Sequence, residues 1–285
     1  MKDSQVQVGE GRELAYTDIG QPDGRCVVFC HGAPVSRLHL VDLEQQFAAH
    51  GVRVVTPDRP SYGRSSSQPG RSVKDWPADV AALADALGID RFFVVGHSTG
   101  GAYAVACAAL LSKRVLGGIV IAGVTDMGWP DAWKGYLEGR AEIQVMRQPD
   151  ENAAIAACAE HFGVDGSGFF AEPFDLPAPD LAFLADETVE KALTATMVEA
   201  FRQGVTGYAQ DMYLEGRGWP FDPRRIAVPI EVVHGELDTL VPMAHSRHTA
   251  KLIPGSTFRE FPGHGHLTIV SELPATVAAL IRSVG

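Results

Sequence analysis

The chain reads as an α/β protein, a largely parallel sheet covered by helices, on three observations. Short β-branched or aromatic runs alternate with longer Ala/Leu-rich helical patterns, from the start to about Ala122 and again from Ile230 onward. Runs such as Val27-Val28-Phe29-Cys30 are apolar at every position, as strands covered on both faces must be. The rhythm breaks once, between Val124 and Arg225, where helical fragments and Pro/Gly punctuation replace any strand pattern.

In order, Val6 to Val8, a Glu10-Gly11 turn and Leu14 to Ile19 predict an opening hairpin, followed by the Val27–Cys30 strand. A helix is expected over Leu38 to His50, a strand over Val52 to Thr56, and a helix over Trp76 to Leu87 that Gly88 ends. Strand Phe92 to Val95, helix Gly100 to Leu111 and strand Gly118 to Ala122 complete the first stretch. The second comprises strand Ile230 to Val233, helix Met243 to Ile253, strand Thr257 to Phe261 and a closing helix from Leu273 to Val284. Residues 1–123 and 226–285 are thus expected to form one core, and 124–225 an inserted helical cap punctuated by Glu172-Pro173 and Leu176-Pro177-Ala178-Pro179.

A formal charge of −11 over 285 residues repels phosphate backbones and anionic lipid, so neither nucleic acid nor a membrane is an expected partner. The apolar run near Gly100 to Leu111 is too short for the ~20 residues that span a bilayer. The first nine residues show no apolar stretch of signal-peptide length. A cytoplasmic protein is expected, with homo-oligomerisation left open. Cys26, Cys30, Cys107 and Cys158 form no CxxC pair, and three sit in apolar segments, so disulfides are not expected. Ten histidines include no HExxH and no mixed Cys/His cluster; no metal and no cofactor is expected.

Chemistry concentrates at Gly96-His97-Ser98-Thr99-Gly100-Gly101, placed where a buried strand gives way to a helix. This is G-x-S-x-G in the context of a nucleophile elbow, a turn tight enough that only glycine fits two residues to either side of the serine. A serine hydroxyl needs a general base, itself oriented by a carboxylate. Glu236 and Asp238 follow one downstream strand, and His264 and His266 follow the next, in the chain order Ser, acid, His.

These motifs, with His31-Gly32-Ala33-Pro34 and Asp58-Arg59-Pro60-Ser61-Tyr62-Gly63-Arg64-Ser65, resemble those of the α/β-hydrolase superfamily over nearly the whole length. The resemblance implies a mostly parallel eight-stranded sheet flanked by helices. It also implies Ser98 as nucleophile, Asp238 as acid and His266 as base, with His264 a loop residue, and His31 and His97 packing the loops. Asp126 is the alternative acid; Glu236 carries little weight. The implied oxyanion hole consists of the backbone N–H groups of Ala33 and Thr99, the latter at a helix start that favours negative charge. Val35 and Ser61 stand where relatives often have glycine, which puts the path of the oxyanion-side loops in question.

The cap holds 13 of the 23 aromatic residues. Some are expected to line an apolar pocket and the rest to build the cap's own core. Val35, Trp129, Trp133, Tyr136, Tyr208 and Trp219 are the pocket candidates. The cap also carries 18 Asp/Glu against 8 Lys/Arg, so nearly all the net charge resides there and an acidic outer face is expected to disfavour anionic substrates. A serine nucleophile argues against the dehalogenase and epoxide-hydrolase chemistries of the family, which use a carboxylate. The leading expectation is a serine hydrolase of small, largely neutral carboxylic esters or lactones, acting on a small-molecule substrate through an acyl-enzyme. The alternatives are another chemistry of the same triad (C–C hydrolase, perhydrolase or cofactor-free haloperoxidase, lyase, acyltransferase) and a ligand receptor on a hydrolase scaffold.

Overall fold

In a computed structural model that describes residues 1–171 and 174–285, the alternation seen in the sequence becomes one eight-stranded sheet. The Glu172-Pro173 punctuation lies outside the described residues. The strands are β1 (Lys2–Gln7), β2 (Glu13–Gly20), β3 (Arg25–Cys30), β4 (Val52–Pro57), β5 (Phe92–His97), β6 (Val115–Ile121), β7 (Ile230–Gly235) and β8 (Thr257–Phe261). Their order is β1-β2-β4-β3-β5-β6-β7-β8; β1 pairs antiparallel with β2 and β2 with β4, and every later pairing is parallel.

Period-two alternation divides each central strand between two cores. Val28, Cys30, Phe92, Val94, Val120 and Val232 face α2 (Trp76–Ala86) and α3 (Gly100–Leu110). Their neighbours Val27, Phe29, Phe93, Val95, Ile119, Ile121 and Val233 face α1 (Glu44–Ala49) and the C-terminal helix, Leu273–Val284. Burial on both faces is why these strands read as unbroken apolar runs.

Between β6 and β7 the described residues contain helices and no strand: α4 (Glu142–Met146), α5 (Glu151–Phe162), α6 (Ala178–Leu184), α7 (Glu187–Ala200) and α8 (Thr206–Glu215). Asp150 and Asp186 start α5 and α7 by accepting backbone N–H bonds, as N-caps do. Much of this segment has its own apolar core, in which Phe162, Phe169, Phe201 and Tyr208 pack with ring centroids 5.5–5.9 Å apart. Helices α9 (Met243–Leu252) and α10 (Leu273–Val284) complete the chain.

Three boundaries depart from expectation by three residues or more, and one of them is β6, which begins at Val115 rather than Gly118. The helix expected from Leu38 begins only at Glu44, after a turn over Ser36–Leu40 and a short 3-10 segment, Val41–Leu43. Strand β1 extends back to Lys2, because Lys2 to Gln7 pair in continuous register with Asp18 to Glu13, although Ser4 and Val6 are only half-buried and the other four residues are exposed.

Candidate active site

Every predicted site segment leaves the carboxyl end of a strand, where side chains from separate loops converge. Ser98 follows β5 and has φ +55°, a left-handed conformation uncommon for a side-chain-bearing residue. The turn closes only because its flanks are glycine. A Cβ on Gly96 would lie 2.2 Å from the Gly100 carbonyl oxygen, and one on Gly100 would lie 2.1 Å from that of Cys30.

Asp238, on the loop after β7, is fully committed. One carboxylate oxygen accepts the N–H groups of Leu240 and Val241 at 2.8 and 2.9 Å, and the other receives His266 Nδ1 at 2.7 Å. Burial works to raise the Asp238 pKa, but the His266 and His234 rings and the backbone donors outweigh it and hold it below the ordinary carboxylate value. In His266 burial works to lower the pKa; Asp238, with smaller help from Asp180 and Glu215, more than offsets this and raises it. His97 supports the pair from beneath. Its ring lies 4.7 Å from that of His266 and its Nε2 donates to the His266 carbonyl at 3.1 Å, while burial and the neighbouring His266 keep it neutral.

The alternative residues hold loops instead. Asp126 accepts the N–H groups of Gly128 and Trp219 at 2.9 and 3.0 Å, Glu236 accepts that of Gly263, and His264 contacts the Pro262 carbonyl and Glu272.

Ser98, Thr99, Ala33 and His266 line one cavity of about 210 Å³. Among the described residues the backbone N–H groups of Ala33 and Thr99 have no protein acceptor, which leaves both available to an oxygen in the cavity. The walls are largely apolar: Val35, Leu137, Phe169, Phe174, Leu193, Met197, Met212 and Leu240, with Tyr136 and Tyr208.

Three pocket candidates lie elsewhere. Trp129 is stacked on His248 at 4.1 Å, Trp133 lies under the Arg147 guanidinium, and Trp219 stacks on Phe221 against the core of α2 and α3. Each covers a polar or apolar neighbour outside the cavity, whereas aliphatic side chains of α6 and α7, unmarked by any aromatic signal, form part of the wall. Ser61 adopts φ +70°, the backbone conformation glycine would supply, so the turn is kept despite the side chain. Val35 stays outside the left-handed region, and its side chain forms cavity wall.

Two further groups escaped the sequence reading. Asp180 of α6 is buried and accepts the N–H groups of Leu267 and Thr268 at 3.1 and 2.9 Å, holding the loop that carries His266. Asp211 of α8 is buried among Arg59, Arg71, Tyr62 and Tyr103. With Glu142 also buried, three of the inserted segment's acids point inward rather than contributing to an acidic outer face.

Ser98 on a left-handed strand-to-helix turn, the Asp238–His266 pair and the N–H groups of Ala33 and Thr99, unpaired among the described residues, thus converge on one cavity at the carboxyl edge of a mostly parallel sheet. The chain belongs to the alpha/beta hydrolase family, whose model matches residues 27–280. It is 29% identical to a non-heme chloroperoxidase of Streptomyces lividans, over 98% of this chain and 99% of that protein. It is 26% identical to a bifunctional esterase/perhydrolase of Acinetobacter calcoaceticus, again over 98% of this chain and 99% of the other. Among solved structures, a thermophilic esterase from Thermogutta terrifontis superposes with a TM-score of 0.74 at 22% identity, covering 100% of this chain and 99% of its own. No helix among the described residues is long and apolar enough to cross a membrane, and these residues form no group of three or more His, Cys, Asp or Glu able to hold a metal.

Proposed function

We propose that the protein is a hydrolase of small, largely neutral carboxylic esters or lactones, with Ser98 as nucleophile, His266 as base and Asp238 as the orienting acid. The observation that carries this reading is the 2.7 Å Asp238–His266 bond at the wall of the apolar cavity that Ser98 also lines. His266 Nε2 takes the serine proton as Ser98 Oγ attacks the carbonyl carbon. Asp238 holds the imidazole by Nδ1 and stabilises the imidazolium. The N–H groups of Ala33 and Thr99 receive the oxyanion. His266 then protonates the departing alcohol, and water, deprotonated by the same ring, releases the acid. Residues 124–225 serve as the cap that walls the acyl side and excludes water.

The apolar lining favours a small aliphatic or aromatic acyl group, and the excess of acids in the cap favours neutral over anionic esters. Turnover of p-nitrophenyl acetate and butyrate that disappears in a folded Ser98→Ala variant is the expected result; turnover retained in that variant would remove the assignment. The esterase/perhydrolase and chloroperoxidase relatives favour a second activity at the same acyl-enzyme, with hydrogen peroxide replacing water as acceptor to give a peracid. Peracid formed from acetate and peroxide would establish it, and its absence beside active ester hydrolysis would exclude it.

A further inference from the structure

The peptide unit joining Gly32 to Ala33 is held from its carbonyl side with unusual completeness. Its oxygen accepts His31 Nδ1 at 2.6 Å and Arg59 Nη2 at 3.0 Å. The Arg59 backbone N–H points at His31 Nε2, 3.3 Å away, which makes Nε2 the acceptor and leaves the ring proton on Nδ1. Burial and the adjacent Arg59 charge hold the His31 pKa well below the ordinary imidazole value, so the ring keeps this neutral form. Arg59 also donates to the His31 carbonyl at 2.5 Å, and it is itself fully buried.

Arg59 is aimed by an element of the inserted segment. Its Nε and Nη2 donate to one oxygen of Asp211, on α8, at 2.8 and 2.6 Å, and the Tyr62 hydroxyl joins them at 2.7 Å. The second Asp211 oxygen takes Arg71 Nη2 at 2.6 Å and the Tyr103 hydroxyl at 2.7 Å. With five donors on one carboxylate, the guanidinium has little freedom to rotate.

We infer that Arg59, locked by Asp211, is a positioning residue for the Ala33 oxyanion donor, so that α8 sets the catalytic competence of the oxyanion loop. The inference rests on the hydrolase reading above. In a trans peptide unit the C=O and N–H lie in one plane and point in opposite directions, so anchoring the Gly32 oxygen with two donors fixes the direction of the Ala33 N–H. The same two donors draw electron density toward that oxygen and make the N–H a stronger donor, by the cooperativity that links successive hydrogen bonds. Arg59 touches no substrate in this account; it acts through the peptide.

The test compares ester and thionoester hydrolysis, because a developing thiolate draws much less on N–H donors than an oxyanion does. In Arg59→Lys, kcat for p-nitrophenyl butyrate should fall by about 10²-fold, approaching the loss of one oxyanion donor, with KM changed less than threefold. The ester-to-thionoester rate ratio should collapse in parallel, and affinity for a boronic acid that forms a tetrahedral adduct at serine should drop by a similar factor. Asp211→Asn, which preserves shape while releasing the guanidinium, should show the same pattern and serves if the lysine variant does not fold. A folded variant with an unchanged rate ratio, or one in which ester and thionoester fall equally, would overturn the inference while leaving the hydrolase reading intact. A wild-type protein with no ester turnover would overturn both.

Discussion

Gly100→Ala isolates the close approach on which the elbow depends. The added Cβ would meet the Cys30 carbonyl oxygen at 2.1 Å, the His31 oxygen at 2.5 Å and the Cys30 carbonyl carbon at 2.7 Å. All three atoms are backbone at the end of β3, so no flexible side chain can move aside. Restoring an ordinary contact requires the elbow and the oxyanion loop to separate by about 1 Å, a displacement of the size that costs about 10²-fold in rate when it misplaces reacting groups. The same overpacking should cost about 1–3 kcal/mol of stability. Intrinsic helix propensity acts the other way, since alanine is favoured over glycine by about 1 kcal/mol in a helix, so a net loss can come only from the steric term and understates it by up to that amount. Urea unfolding paired with kcat/KM for p-nitrophenyl butyrate measures both. A variant as stable and as active as the parent would refute the reasoning, because it would show that the β3 terminus and the elbow are not in contact.

Activity should fall as pH drops through the His266 pKa, and since Asp238 raises that pKa above the ordinary 6.5, the acid limb of the pH profile should lie above 6.5. Asp238→Asn should move the limb to lower pH while reducing kcat by about 10³–10⁴-fold; an unmoved limb would count against the pair. Asp211→Ala leaves two buried guanidinium groups without their carboxylate and should cost about 3–5 kcal/mol at pH 7, read by urea unfolding. Burial works to raise the Asp211 pKa, but Arg59 and Arg71 more than offset it and depress the value below the ordinary 3.8, so the charged form stabilises the fold above that value. The contribution is lost as pH falls through the depressed folded pKa. The Asp211→Asn variant should therefore lose stability less steeply in acid than the parent. Met197→Trp narrows the cavity wall and should lower kcat/KM for the butyrate ester more than for the acetate by about 10-fold, whereas Trp133→Leu, outside the cavity, should leave that ratio unchanged.

The strands were legible because burial on both faces writes itself as uninterrupted apolar runs, and the elbow because close packing demands glycine at fixed offsets from Ser98. The Ser98 and Asp238 loops were legible for the same reason, since β5 and β7 are largely buried; the His266 loop follows the mostly exposed edge strand β8 and was legible from the chain order Ser, acid, His. What stayed hidden was pairing over distance. Arg59 and Asp211 lie 152 positions apart, and each read alone is a charge that would ordinarily face water. Asp180 looked like one of many cap acids until the fold brought it onto the loop of His266. The aromatic signal misled for a related reason. Trp129, Trp133 and Trp219 are consumed by stacking on His248, Arg147 and Phe221, while aliphatic side chains of ordinary composition, Leu184, Leu193 and Met197, reach the cavity.

An activated Ser98 reacts covalently with an electrophilic phosphorus centre. Reacting the protein with a fluorophosphonate and locating the adduct by peptide mass spectrometry tests this directly. A single stoichiometric adduct is expected on Ser98, formed more slowly as pH falls below the His266 pKa and lost in Ser98→Ala. An unlabelled native protein, or labelling that persists in Ser98→Ala, would contradict it.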